Sequence, residues 1–250
     1  MIITSLVKTG VGKEMCDDAI FDGNSVITND DSLINENNSN SWIAVADGVG
    51  GNAGGYEAST FLLEYINNNY KSTNEENDLY SMLKEANEQL IKYAQAISGK
   101  ENMATTFTGI FFGTEDIKIA HAGNTRVYAL QGNYLKQLTT DHTTYQWLMM
   151  QGNYEAADSC NKSEITSCFG GGDENLLNRL SIERIAIEAL PNIMIMTTDG
   201  IHDYVDIDTF ENIIAEQIPI KERVVKLWEK AKENRTCDDC SIVVINNGGY

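Results

Sequence analysis

The chain has no apolar run approaching the roughly 18 residues of a membrane span. Its N-terminal stretch MIITSLVKTGVGKE also lacks the longer apolar block and small-residue cleavage site of a secretory signal. Both absences point to a soluble protein of the cytoplasm, with no membrane partner. Positive charge is scarce too: 18 Lys and Arg stand against 37 Asp and Glu, a formal charge of −19. Basic residues are scattered rather than clustered, which excludes broad nucleic-acid binding, because that needs a basic surface to displace counterions. Paired cysteines are missing as well. Cys16, Cys160, Cys168, Cys237 and Cys240 are odd in number and irregularly spaced, so no disulfide framework is expected. Cys237 and Cys240 form a lone CxxC without the second ligand pair of a zinc site, and read as plain thiols. The three histidines, His121, His142 and His202, have no ligand-like spacing and read as structural.

The 250 residues suffice for one full core, and the chain is read as a single domain, 1–250. Residues 2–28 predict one or two strands, and NDDSLINENNSNS an exposed polar loop. Apolar positions Ala58, Phe61, Leu62, Tyr65 and Ile66 fall on one helical face. A second amphipathic helix is predicted to start near Asp78, with Leu79, Leu83, Ala86, Leu90 and Ile97 on its buried side. Residues 104–138 then read as an antiparallel meander whose turns are marked by Glu115-Asp116, Gly123-Asn124 and Gln131-Gly132-Asn133. A short helix is expected near 143–151, followed by the Gly170-Gly171-Gly172 loop. A strand near 193–197, helices at 206–217 and 220–233 and a last strand SIVVI complete the chain. Grouped strands with paired helices predict an α+β fold of antiparallel sheets covered by helices.

Four acidic spots sit beside apolar runs: Asp17-Asp18 before Ala19-Ile20-Phe21, Asp47-Gly48 after WIAVA, Asp199-Gly200 after IMIMTT, and Asp238-Asp239 before the last strand. Any one Asp-Gly is ordinarily a turn, and an Asp-Asp pair ordinarily caps or solvates a strand edge. Their recurrence in one chain is the signal. If the strands are neighbours, the carboxylates converge, and two unit charges about 4 Å apart repel by roughly 4 kcal/mol at an effective dielectric of 20. Such a cluster must bind cations or take up protons. Oxygen ligands without His or Cys select hard ions, Mg²⁺ or Mn²⁺. The glycines are expected to let the backbone turn sharply and free a carbonyl for coordination. Two ions about 3.5 to 4 Å apart, bridged by one aspartate, would activate a water for attack on phosphorus, so phosphate-ester hydrolysis is the expected chemistry.

The segments GKEMCDDAI, VADGVGG, MATTFTGIFF, HAGNTRVYAL, LTTDHT, ITSCFGGG, IMIMTTDGIHD and CDDCSIVVI resemble, in order, those of the type 2C metal-dependent serine/threonine protein phosphatases, especially the compact bacterial branch. The resemblance implies a β-sandwich of two antiparallel sheets flanked by helix pairs, a four-layer αββα arrangement. It implies that Asp47 bridges two Mn²⁺ or Mg²⁺ ions, that the Gly48 carbonyl joins one ion, and that Asp199 and Asp238 hold the other. Asp17 and Asp18 correspond to the acidic pair that reaches the ions directly or through water. Asp203 corresponds to a residue that helps hold a third, weaker ion. Asp47, Asp199 and Asp18 are thus the expected catalytic set, with phosphoserine and phosphothreonine in proteins as substrates and a Ser/Thr kinase as the counterpart enzyme. Residues 143–180 correspond to a flap near the substrate, and a monomer is expected.

This chain departs from the family pattern at three places. Lys13 stands where an Arg often forks the substrate phosphate, and an ammonium is a point charge that cannot make the same two-pronged contact. Asn124 stands in GNTR where an Asp is usual, which predicts a weak or empty third ion site. Val49 stands where eukaryotic members have His, so the leaving-group proton is expected from an ion-bound water. Two rival readings follow from other features. Gly48, Gly50 and Ala53 fit a GxGxxA dinucleotide fingerprint, although Asp47 would oppose a pyrophosphate. Lys13 and Asn124 would also suit a phosphoprotein-binding regulatory module that kept the fold and lost turnover.

Overall fold

The computed structural model describes residues 1–28, 41–49, 53–71 and 76–248. The polar loop expected at 29–41 falls almost wholly outside the described residues. Strands and helices are numbered in chain order. One sheet runs β1 (Ile2–Lys8), β13 (Cys240–Asn246), β12 (Ile193–Thr197), β8 (Arg126–Gln131), β9 (Tyr134–Gln137), with every neighbour antiparallel. The other runs β11 (Ser181–Ala186), β7 (Asp116–Ala122), β6 (Phe107–Phe112), β4 (Trp42–Asp47), β2 (Asp18–Phe21), β3 (Val26–Ile27), again antiparallel throughout. A minimal pair joins β5 (Ala104–Thr105) to β10 (Phe169–Gly170).

Side-chain alternation explains why the sheets stack face to face. Ile43 and Val45 of β4 point to one side and meet Met194 and Met196 of β12 and Val243 and Ile245 of β13 in the inner core. The alternate residues Trp42, Ala44 and Ala46 point to the other side, against α1 (Gly55–Asn69) and α2 (Glu76–Gln95). The first sheet does the same in mirror image: Ile195, Ile242 and Val244 face α5 (Asp199–His202), α6 (Ile207–Ala215) and α7 (Ile220–Glu233). Strands covered on both faces read as continuous apolar runs, which is how WIAVA and IMIM stood out in the sequence. The four layers are therefore helix, sheet, sheet, helix, as expected. Trp42 fixes the helix side of the second sheet, its ring stacked on Phe21 at 4.1 Å and on Phe111 at 5.4 Å. Truncating so central a ring costs about 3–5 kcal/mol.

Several elements differ from the expectation. α2 already includes Glu76, so Asp78 is not its cap but an acid of the first turn, where it complements the helix dipole. Ile97 lies past the end of α2 yet still packs on the same core. Residues 2–28 hold three strands. α3 (Thr144–Met150) is followed by a further short helix, α4 (Tyr154–Ser159), and β11 adds an edge strand that the sequence did not announce. The GxGxxA reading fails on topology: β4 has antiparallel neighbours on both sides, not the parallel crossover a dinucleotide fold needs, and Gly50 lies outside the described residues. All five cysteines are free thiols. Among the described residues no helix is long and apolar enough to cross a membrane.

Candidate active site

β2 and β4 are paired so that Asp18 lies directly opposite Asp47. Like charges facing each other across a ladder are destabilising on their own. From the other sheet, β12 delivers Asp199 at the first position of α5, and β13 is preceded by Asp238 and Asp239. The two sheets thus bring their acidic ends to one place. A cavity of about 260 Å³ is lined by Asp47, Gly48, Asp199 and Asp238 together with Asn161 and Ser163.

Asp47 is held through its backbone, and Asp18 and Asp199 through their side chains. The Asp47 amide donates to the Thr106 hydroxyl at 3.0 Å, and the Asp47 carbonyl accepts from the Thr105 hydroxyl at 2.9 Å and the Thr106 amide at 2.8 Å. The Thr198 hydroxyl donates to Asp18 Oδ2 at 2.9 Å, and Thr198 in turn accepts from the Ser241 amide at 2.9 Å. Asn124 Nδ2 donates to Asp199 Oδ2 at 2.9 Å, while its own Oδ1 is buried without a partner. Asp17 does not line the cavity. Its Oδ1 accepts from the Tyr56 amide at 2.9 Å, so it caps α1 from outside. Asp203 caps α5 at its C-terminal end, is exposed, and does not line the cavity.

The two Asp-Gly glycines do not adopt a left-handed turn; they are needed for close approach. A Cβ on Gly48 would meet the Gly55 carbonyl carbon at 2.5 Å, and one on Gly200 would collide with the Asp239 carbonyl.

Burial raises the Asp18 and Asp47 pKa values well above the ordinary carboxylate range. Repulsion from Asp239 adds to it for Asp18, and repulsion from Asp18, Asp199 and Asp238 adds to it for Asp47. Burial, then the charges of Asp238 and Asp203, push Asp199 up to about 6, against the opposing Asn124 hydrogen bond. Lys13 supplies the local relief: its Nζ donates to Asp238 Oδ1 at 2.7 Å and Asp239 Oδ2 at 2.9 Å, and lies 3.8 Å from Asp17 Oδ2. Partial burial disfavours this ammonium, but the hydrogen bonds to Asp238 and Asp239 outweigh it and its pKa rises. Among the described residues no three His, Cys, Asp or Glu side chains stand as a ready-made ion site. Lys13, Asn124 and Thr198 instead occupy one oxygen each of Asp238, Asp199 and Asp18.

A sequence pattern described as protein phosphatase 2C matches residues 22–232. The chain belongs to the protein phosphatase 2C family. The match spans Asp47, Asn124 and Asp199 but leaves out Lys13, Asp17, Asp18 and Asp238, whose placement rests on the geometry. The chain is similar to the serine/threonine phosphatase stp of Listeria welshimeri, 25% identical over 231 residues that cover 86% of this chain and 88% of that one. In three dimensions it is similar to the serine/threonine phosphatase Stp1 from Staphylococcus aureus, with a TM-score of 0.80 and 23% identity over all of this chain and 96% of the other. It also superposes on the catalytic domain of the phosphatase PstP in complex with two manganese ions, with a TM-score of 0.75 and 20% identity over 98% of each chain.

Of the residues expected in the site, Asp18, Asp47, Gly48, Asp199 and Asp238 converge, and Lys13 and Asn124 bind members of the group directly. The sequence reading missed Asp239, buried to 2% exposure. It also missed Asn161 and Ser163. The segment 143–180, expected to form a flap, is divided in its packing. A bridge joins Thr143 to Ile165, whereas Phe169 and Leu177 are buried in the core with α1 and α2.

Proposed function

We propose that this protein hydrolyses phosphoserine and phosphothreonine in proteins at the cavity walled by Asp47, Asp199 and Asp238, with two Mn²⁺ or Mg²⁺ ions as cofactors. The observation that carries the reading is the convergence of buried carboxylates from both sheets, whose mutual repulsion only cations or protons can relieve. The donor set fits hard divalent ions: it is all oxygen, and the unpartnered Asn124 Oδ1 adds one more acceptor beside Asp199. Asp47, Gly48, Asp199, Asp238 and Asp18 would hold the two ions; Asp203 and Asn124 flank a third position, which the neutral Asn124 weakens. Ions bound there supply an activated water and positive charge facing the phosphoryl oxygens.

The protein's own groups do the rest. Asn124 orients the Asp199 carboxylate, Thr198 orients Asp18, and Thr105 and Thr106 fix the Asp47 backbone. Lys13 offers a cation at the rim for the substrate phosphate. Asn161 and Ser163, which also line the cavity, would limit access of bulk water. Support for the serine/threonine assignment comes from the names of the relatives, and support for manganese from the two-ion PstP structure. The chain is read as one catalytic domain, 1–250, that acts as a cytoplasmic monomer opposite a Ser/Thr kinase.

The test is hydrolysis of p-nitrophenyl phosphate and of a phosphothreonine peptide with Mn²⁺, with Mg²⁺ and after chelation. Turnover that chelation abolishes supports the enzyme. Tight phosphopeptide binding without turnover under any of these conditions would instead identify a regulatory binding module.

A further inference from the structure

We propose that Asp239 is a positioning residue: it anchors the Lys13 ammonium at the rim of the cavity and thereby sets the affinity for the substrate phosphoryl group. The inference rests on the phosphatase reading above. Asp239 sits immediately before β13 with its side chain 2% exposed, and both of its oxygens are used. Oδ1 accepts from the Gly10 amide at 2.7 Å; Oδ2 accepts from the Asp17 amide at 2.8 Å and from Lys13 Nζ at 2.9 Å. All three donors belong to the one loop that links β1 to β2. A single carboxylate therefore ties that loop, and its only lysine, to the edge of the site.

Two further contacts make the tether stiff. Lys13 turns back on the loop through its amide, which donates to the Gly10 carbonyl at 3.1 Å. Gly10 itself lies so close to the 237–238 backbone that a Cβ there would collide with the Cys237 carbonyl and come within 2.8 Å of the Asp238 carbonyl carbon. Lys13 has a second partner, Asp238, but that side chain is 48% exposed and walls the cavity. Were Asp238 to hold an ion, its hydrogen bond to Lys13 would be the one given up. Asp239 is then what keeps the ammonium local, with its rotamer freedom already restricted before substrate arrives.

The experiment is a double-mutant cycle on Lys13→Gln and Asp239→Asn, read by the inhibition constant of inorganic phosphate, by KM and kcat for a phosphothreonine peptide, and by thermal melting. Expected are a roughly 10-fold rise in KM and in the phosphate inhibition constant for Lys13→Gln, a rise of several-fold for Asp239→Asn, and kcat moving less than either. The double variant should be within about twofold of Lys13→Gln alone, and Lys13→Arg should recover affinity only where Asp239 is intact. Additive effects in the two backgrounds, or an Asp239→Asn protein that loses kcat and KM equally with its melting temperature, would overturn the proposal. Should Asp239→Asn fail to fold, Asp239→Glu keeps the charge but displaces Lys13 and must raise KM in the same way. An unchanged phosphate inhibition constant in Lys13→Gln overturns the proposal whichever Asp239 variant folds. A wild-type protein without ion-dependent turnover counts against the phosphatase reading, whereas normal turnover with an additive cycle counts against Asp239 alone.

Discussion

Two buried polar clusters adjoin each other in this protein, and they are wired in opposite ways. The first is the carboxylate pocket. The second is a threonine–histidine cluster on β6, β7 and the turn after them. Thr108 Oγ1 meets His121 Nδ1 at 2.8 Å, His121 Nε2 meets the Thr140 carbonyl at 3.1 Å, and Thr106 and Thr125 hydroxyls meet at 2.9 Å. His142 Nδ1 accepts from the Gly123 amide at 3.2 Å, with its ring 4.7 Å from that of His121. Burial lowers His121 to about 4, and burial together with the neighbouring His121 lowers His142 to about 3, so both are neutral at physiological pH and need nothing more. The carboxylates, by contrast, carry more like charge than Lys13 can balance. A satisfied network fixes positions, and an unsatisfied one binds. The two are joined where Thr106 accepts from the Asp47 amide and where Gly123 precedes Asn124, so the quiet cluster is the pedestal of the reactive one.

The largest expected effect separates them by rate. Asp199→Asn, or Asp47→Asn, should cut ion-dependent hydrolysis of p-nitrophenyl phosphate by more than about 100-fold with the fold retained, as checked by steady-state kinetics and circular dichroism. Full activity in either variant would place the chemistry elsewhere. Next, His121→Ala should act on stability, costing about 2–4 kcal/mol in urea unfolding while activity per folded molecule falls far less. If it lowered kcat as strongly as Asp47→Asn, the distinction between pedestal and site would collapse.

The clusters should also respond to pH with opposite slopes. The folded histidine pKa values lie below the unfolded value near 6.5, so their stabilisation is full above about pH 6.5 and is lost as pH falls toward 4. Asp199 is raised to about 6, so in chelated protein its contribution is full below about pH 4 and is lost as pH rises through 6. Asp199→Asn should therefore stabilise chelated protein at pH 7.5, by on the order of 1–2 kcal/mol, and do little at pH 4. Melting temperatures at both pH values check this. A gain equal at both would remove electrostatics as the cause. The smallest effect is expected from Asn124→Asp, which replaces the donor to Asp199 with another charge. Chelated protein should melt a few degrees lower, and Mn²⁺ measured by calorimetry should bind several-fold more tightly. Unchanged Mn²⁺ binding would count against the third position.

Much of this was legible in the sequence because burial on both faces leaves an unbroken apolar run, and β4, β12 and β13 all have one. The carboxylates were legible because they interrupt such runs at their ends. What escaped notice lacked that contrast. β11 is an edge strand whose Glu183 and Arg184 disguise it, and α5 is a single turn that follows β12 with no loop between. Asp239 was quoted only as the second half of an acidic pair. Nothing in its spacing distinguishes a residue turned inward onto three donors from one turned out to water. Asn161 and Ser163 carry no pattern at all, since folding of the 143–165 segment alone brings them over the cavity.

Gly200 contributes no chemistry, yet its missing methyl group is the gauge that lets β12 and β13 end side by side. Any larger residue there would wedge the Asp239 carbonyl away and spread Asp199 from Asp238 in the same movement. Residue 200 is therefore where a change of one carbon atom would read, in any functional screen, as the displacement of two carboxylates at once.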